Sequence, residues 1–207
     1  MCNSKLCFCS FSVLICLASL AYYYGALQQI QVYDAYLPNA IFYYKSTIGP
    51  YEDLSKQYQK IHQITAPLSL SKYKGYGMSI YYDDPKQLKE GAVPRSDIGF
   101  AFPSKIIEDV DAKLLSYGFK KAELPEAKVL QTYFPFKGFP SIILNVLISY
   151  PAIGLEESKE ERKDFVESPI IEICKDGVIY TSVLESKMIE KYMLTPYSKP
   201  EQKIPKN

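Results

Sequence analysis

The chain contains no tryptophan and a single histidine, His62. One histidine excludes a multi-histidine metal site, and no cysteine or paired serine lies near it to suggest a triad. No cluster of lysine and arginine stands out among 24 basic and 23 acidic residues, so no direct nucleic-acid footprint is expected. There is no N-x-S/T sequon, since Asn3, Asn39 and Asn145 all lack the hydroxyl residue two positions on. Gly75 and Gly77 make no phosphate loop, because neither the spacing nor a following helix is there. Cysteine is scarce outside the first 16 residues: Cys2, Cys7, Cys9 and Cys16 cluster there, and only Cys174 belongs to the rest. One cysteine cannot form an internal disulfide, so the main body carries no adaptation to an oxidising compartment. No cofactor and no metal site are expected.

Charge is also missing from Leu6–Tyr24, which has no Pro and no Gly either. A bilayer needs roughly 20 apolar residues in helix, and three tyrosines, Tyr22 to Tyr24, close the run where aromatic rings favour the membrane interface. We read residues 1–27 as a membrane anchor that holds the chain to a lipid bilayer through Leu6–Tyr24. The competing reading is a signal peptide cleaved near Ala21, which would leave a secreted or lumenal small-molecule-binding protein. Lys5 before the segment and Asp34 after it would put the main body outside by the positive-inside rule. The missing sequon and lone cysteine favour a cytosolic body. With a cytosolic N-terminus, Cys2, Cys7 and Cys9 become palmitoylation candidates, against the plainer reading as small apolar residues.

What is abundant is tyrosine, 19 of 207 residues, a residue that suits strands and partly wet pockets. The order of elements follows from hydropathy and punctuation. Residues 28–38 read as a linker. Ala40 to Ser46 is an aromatic strand, and Pro50 with Glu52 and Asp53 starts a helix whose stripe is Tyr51, Leu54, Tyr58 and Ile61. Strands follow at 78–83 and 97–102, then a helix capped by Ser104 and ended by Gly118. Asp83-Asp84-Pro85 reads as a turn. Residues 127–136 form a strand and 138–155 an apolar run read as a buried core helix. Asp176-Gly177 joins two β-rich runs into a hairpin. Residues 186–207 read as a short helix followed by a partly disordered tail. Strand–helix–strand–strand thus occurs twice across 39–185, with one helix inserted. This predicts an α+β domain with an antiparallel sheet and helices on one face.

Alternation places Ile170, Glu172, Cys174, Ile179, Thr181 and Val183 on one face of the hairpin, with Thr181 directly across from Glu172. A lone carboxylate among aliphatic neighbours either reaches water or serves a cation or polar ligand, with a raised pKa.

IGPYEDLSKQY at 48–58, YYDDP at 81–85 and SPIIEICKDGVIY at 168–180 resemble the GyrI-like ligand-binding fold. With the N-terminal segment and ERK at 161–163, the sequence resembles the testis-expressed protein 264 family of single-pass endoplasmic-reticulum membrane proteins. That resemblance implies a tandem strand–helix–strand–strand domain, cytosolic and non-enzymatic. It also implies reticulum-autophagy and adaptor roles, with autophagosomal ubiquitin-like proteins or an AAA ATPase as partners. The autophagy role in that family rests on a long disordered tail with an acidic–aromatic motif. The tail here is short, basic and Pro-containing, and Tyr51-Glu-Asp-Leu54, which fits the pattern, lies at a helix start. The GyrI-like fold further implies a cleft lined by aromatics and a glutamate, taking a small apolar or cationic ligand. Glu172 lies in the matching motif, and Tyr44, Tyr81 and Tyr133 are the aromatic candidates by strand placement. Some GyrI-like proteins are thought to be hydrolases, which would use Glu172 with a tyrosine.

Overall fold

The computed structural model describes residues 4–84, 88, 92–103, 106, 108–165 and 168–195, with side chains omitted for 4–10, 52 and 71. Ser104 as a cap, Pro85, the side chains of Cys7 and Cys9, Cys2 itself and the tail from 196 lie outside the described residues.

Among the described residues eight strands form one antiparallel sheet: β1 (Tyr33–Leu37), β2 (Ala40–Ile48), β3 (Tyr76–Tyr81), β4 (Arg95–Phe102), β5 (Lys120–Leu124), β6 (Ala127–Pro135), β7 (Ile170–Lys175) and β8 (Val178–Leu184). Their spatial order is β1-β6-β8-β7-β3-β4-β2-β5. The helices are α1 (Ser4–Tyr23), α2 (Leu54–Thr65), α3 (Glu108–Ser116), α4 (Phe139–Glu157) and a short α5 (Ile189–Tyr192).

The two units expected from the sequence are β2-α2-β3-β4 and β6-α4-β7-β8. They meet where β3 pairs with β7 in the middle of the sheet. Each unit then lends a strand to the other: β1, which precedes β2, pairs with β6, and β5, which precedes β6, pairs with β2. This exchange corrects the expected linker at 28–38, part of which is a sheet strand. The signal for β1 is weak because a five-residue edge strand, mostly exposed, has too few buried positions to reveal alternation.

Side chains of opposite parity segregate to opposite faces. On one face Tyr43, Ile98 and Phe102 pack under α2 and α3, while Leu130, Ile153 and Val183 pack with α4 and Phe165. On the other face Phe42, Tyr44, Ile80, Val129 and Ile171 form a core. Met188 and Tyr192 close that second face, where the short helix expected after Ser186 packs through its apolar side chains. The Tyr192 hydroxyl donates to the Pro125 carbonyl at 2.8 Å. Gly99 is required at the crossing of β4 and β2, since a Cβ there would stand 1.9 Å from the Tyr43 carbonyl oxygen. The Asp176-Gly177 turn has positive φ at both residues, 52° and 75°, as a two-residue primed hairpin demands.

One membrane expectation changes. The described side chains of α1 from Phe11 to Tyr23 are exposed and mostly apolar. Among the described residues, the one helix long and apolar enough to cross a bilayer by length and composition is α4. The sequence reading made α4 a buried core helix, yet only 22% of its apolar window is buried. Its buried positions are Ser141, Asn145, Ser149 and Ile153, one every helical turn. The polar stripe faces the sheet and the apolar stripe faces out. That inversion is invisible to a rule that turns apolar residues inward.

Candidate functional site: a carboxylate ringed by tyrosines

The β7–β8 register sets Glu172 opposite Thr181, as the two-residue turn requires, and the β3–β7 register sets Glu172 opposite Ser79. Glu172 therefore sits on the helix-bearing face at the joint between the two units. α2 and α4 stand on either side of it.

The carboxylate accepts three hydrogen bonds from neutral donors: Asn145 Nδ2 at 2.9 Å and the Tyr150 hydroxyl at 3.1 Å on Oε1, and the Tyr81 hydroxyl at 3.1 Å on Oε2. Asn145 is in turn fixed by Thr181, donating from Nδ2 to Oγ1 at 3.0 Å and accepting from Oγ1 at 3.2 Å. The Tyr58 hydroxyl, carried by α2, hydrogen-bonds both Ser79 Oγ and the Tyr81 hydroxyl, the latter at 3.0 Å. The Tyr51 ring packs edge-on against Tyr81, with centroids 5.3 Å apart. Tyr58 is 39% exposed and Glu172 half-buried, so the site meets solvent along its α2 edge. Beneath α4 the polar layer continues through Thr132 and Ser149. Their enclosed hydroxyl oxygens have no hydrogen-bond partner among the described residues.

Burial holds the Glu172 carboxyl above the usual carboxylate range, against the opposing pull of its three donors. No lysine, arginine or histidine among the described residues touches it. Burial and the adjacent Glu172 charge push the Tyr58 hydroxyl up to about 12, and hold Tyr81 and Tyr150 well above the ordinary range. These tyrosines therefore stay neutral donors at all physiological pH. Cys174, two residues along the same face, is an exposed free thiol raised by burial and by Glu172. It remains protonated and a poor nucleophile at neutral pH. No group of three or more His, Cys, Asp or Glu suited to a metal occurs among the described residues.

Of the residues singled out in the sequence, Glu172 and Tyr81 meet as expected. Tyr44 does not join them. It is buried on the opposite face, stacked on Phe42 at 5.2 Å between centroids. Its neighbour Tyr43 takes the helix side, and one residue of parity decides the face. Tyr133 likewise points to the opposite face, exposed across from Tyr180 in the β6–β8 register. Asn145, Tyr150 and Tyr58 escaped the sequence reading. All three come from helices, so only tertiary packing brings them to the hairpin. An asparagine inside the apolar run of α4 was the one local hint. His62 is exposed on α2, as expected of a surface histidine.

A second carboxyl shares the titration behaviour. Burial pushes Glu157, at the end of α4, up to about 7. An unfolded glutamate titrates near 4.3, so the native state binds more protons than the unfolded state between those values. Stability must then fall as pH rises from ~4.5 to about 7, and Glu172 adds in the same direction. The melting temperature of the protein is expected to fall across this window. In Glu157→Gln the fall should be shallower, which a thermal-melt series in buffered steps of pH reads directly.

No family model matches the chain, and no curated protein matches it. Solved structures do. The structure of SAV2435 bound to tetraphenylphosphonium is similar with a TM-score of 0.50 at 9% identity, over 76% of this chain and 93% of that one. The C-terminal domain of EcmrR gives 0.49 at 13% identity, over 76% and 98%. An EcmrR–DNA complex gives 0.48 at 12% identity, over 88% and 69%. The likeness to SAV2435 is one of fold: an α+β domain on a curled antiparallel sheet, consistent with the GyrI-like arrangement.

Proposed function

We propose that this protein binds a small organic cation in the Glu172 cleft, as a non-enzymatic binding module. The observation that carries the reading is the state of Glu172. A carboxylate held by three neutral donors with no described cation beside it is an uncompensated negative charge in a low-dielectric cleft. A cationic ligand would complete it. The faces of Tyr51, Tyr58, Tyr81 and Tyr150 would add cation–π attraction, on the order of 1–2 kcal/mol when desolvated. The exposed edge at Tyr58 is where a ligand would enter. SAV2435, which shares the fold, was solved with tetraphenylphosphonium, a lipophilic cation of this kind.

The exposed apolar surface of α1 supports its assignment as the anchor, which would station the cleft at a membrane. A cytosolic position on the endoplasmic reticulum, and an adaptor role there, belong to the same proposal. They rest on the sequence resemblance alone.

The test is calorimetric titration of the full chain with tetraphenylphosphonium and, separately, with tetraphenylborate, its near-isosteric anion, against lipid- or detergent-only blanks. The cation is expected to bind and the anion not. Cation affinity should rise with pH through the raised titration range of Glu172, since only the ionised carboxylate attracts it. Equal binding of both ions would show a merely apolar pocket and overturn the assignment.

A further inference from the structure

α4 is seated inside out. Ser141, Asn145 and Ser149 are fully buried against β6 and β8, while Leu147 is 65% exposed and Leu155 72%. Phe139, Ile142, Ile143 and Val146 share the exposed side. A water-facing helix with an apolar surface this long is unfavourable unless something covers it.

Where α4 begins indicates what covers it. The Ser141 hydroxyl donates to the Tyr24 carbonyl at 3.4 Å. Gly25 packs so closely that a Cβ would lie 2.9 Å from the Pro135 ring. The chain at the end of α1 is therefore fixed against the start of α4, and both helices carry exposed apolar side chains. At the junction Tyr22, Tyr23 and Lys137 line a shared hollow, with the Lys137 ammonium 5.5 Å over the Tyr23 ring. Tyrosine and lysine together are the residues that settle at the polar edge of a bilayer. At its far end the apolar face gives way to the charged run Lys159 to Asp164, whose side chains are mostly exposed.

We infer that the outward face of α4 lies in the interfacial layer of a lipid bilayer, beside α1. A helix lying in that layer buries its apolar side ~5–10 Å into the headgroup–acyl boundary. α4 then joins the anchor as a second membrane contact and fixes how the domain sits on the surface. It also sets one wall of the Glu172 cleft against the membrane. The inference shares the reading of α1 as an anchor with the proposed function, but not the ligand.

The absence of tryptophan makes the test direct. Leu147→Trp in the full chain introduces one tryptophan, excited selectively at the red edge of tyrosine absorption, at an exposed position where the larger ring displaces nothing. The protein is reconstituted with phosphatidylcholine vesicles carrying or lacking bromine on the acyl chains. Leu147→Trp is expected to emit to the blue and to lose most of its emission in brominated vesicles. Tyr117→Trp, on the far unit beyond α3, is expected to keep its emission. Ile143→Trp, one turn away on the same face, should repeat the Leu147→Trp result. Emission to the red without quenching would place α4 in water and overturn the inference. Blue emission without bromine quenching would assign the face to a second copy of the chain and overturn it equally, as would failure to float with the vesicles. Adding Glu172→Gln should leave the quenching unchanged, so loss of ligand binding and loss of membrane contact are read separately.

Discussion

Glu172→Gln is expected to weaken tetraphenylphosphonium binding by roughly 30-fold or more while leaving the protein folded. Glutamine matches glutamate in size; its one carbonyl oxygen can keep the hydrogen bonds from Asn145 and Tyr150, while its amide N–H donates to the Tyr81 hydroxyl in place of the bond that Oε2 accepts. What it removes is the charge. Truncating one member of a desolvated charge pair costs about 2–5 kcal/mol, and each 1.4 kcal/mol is a tenfold change. Stability should move the other way. The native carboxyl is raised, so its ionised form is disfavoured in the fold, and a neutral amide removes that penalty at neutral pH. The variant should melt at the same temperature or higher, and the difference from the native protein should shrink as pH falls and Glu172 protonates. Titration and thermal melts on the same sample check both. If affinity is unchanged, Glu172 is not the recognition group. A loss of turnover toward an ester substrate instead of a loss of affinity would support a hydrolase.

Arg95→Met is expected to cost about 3–5 kcal/mol of stability, the usual penalty for removing one partner of a buried ion pair. Arg95 is 7% exposed and fully committed. Its Nη2 and Nε reach Asp83 Oδ1 and Oδ2 at 2.8 and 2.9 Å, its backbone N–H donates to the same carboxylate at 2.8 Å, and Nη1 donates to the Thr195 carbonyl at 3.0 Å. Thr195 is also tied by its hydroxyl to the buried Asp97 carboxylate at 2.7 Å, where the Tyr82 hydroxyl donates at 2.6 Å. One guanidinium thus holds the β3–β4 connection and the C-terminal segment to the sheet together. In a domain of this size each kcal/mol shifts the melting temperature by ~2–4 °C, so a drop of roughly 10 °C is expected. Because the stranded Asp83 accounts for much of the cost, adding Asp83→Asn to Arg95→Met should recover part of it rather than add to it. Hydrogen exchange should report early loss of protection from 186 to 195 in the single variant.

Local chemistry in the sequence was enough to place most of the elements. Pro50 with its acids, the aromatic run at 40–46, the alternation at 127–136, and Asp176-Gly177 each act over a few residues, where backbone geometry follows from side-chain type. The doubled strand–helix–strand–strand order and the pairing of Glu172 with Thr181 are direct consequences of those local rules. The exchange of β1 and β5 between the two units was decided at longer range. A short edge strand has no signature of its own, and its partner lies about a hundred residues away. Parity likewise chose Tyr81 over Tyr44 and Tyr133, because register depends on which strand lies alongside.

The site itself is a product of packing. Asn145 and Tyr150 reach Glu172 only because α4 turns its polar stripe to the sheet, and hydropathy alone predicts the reverse orientation. A helix exposes its apolar side when the other side must supply hydrogen bonds to a buried carboxylate, and only the tertiary structure records that exchange. The sequence by itself determined the units and their glutamate. Tertiary structure decided which groups surround that glutamate and which surface of α4 is left exposed.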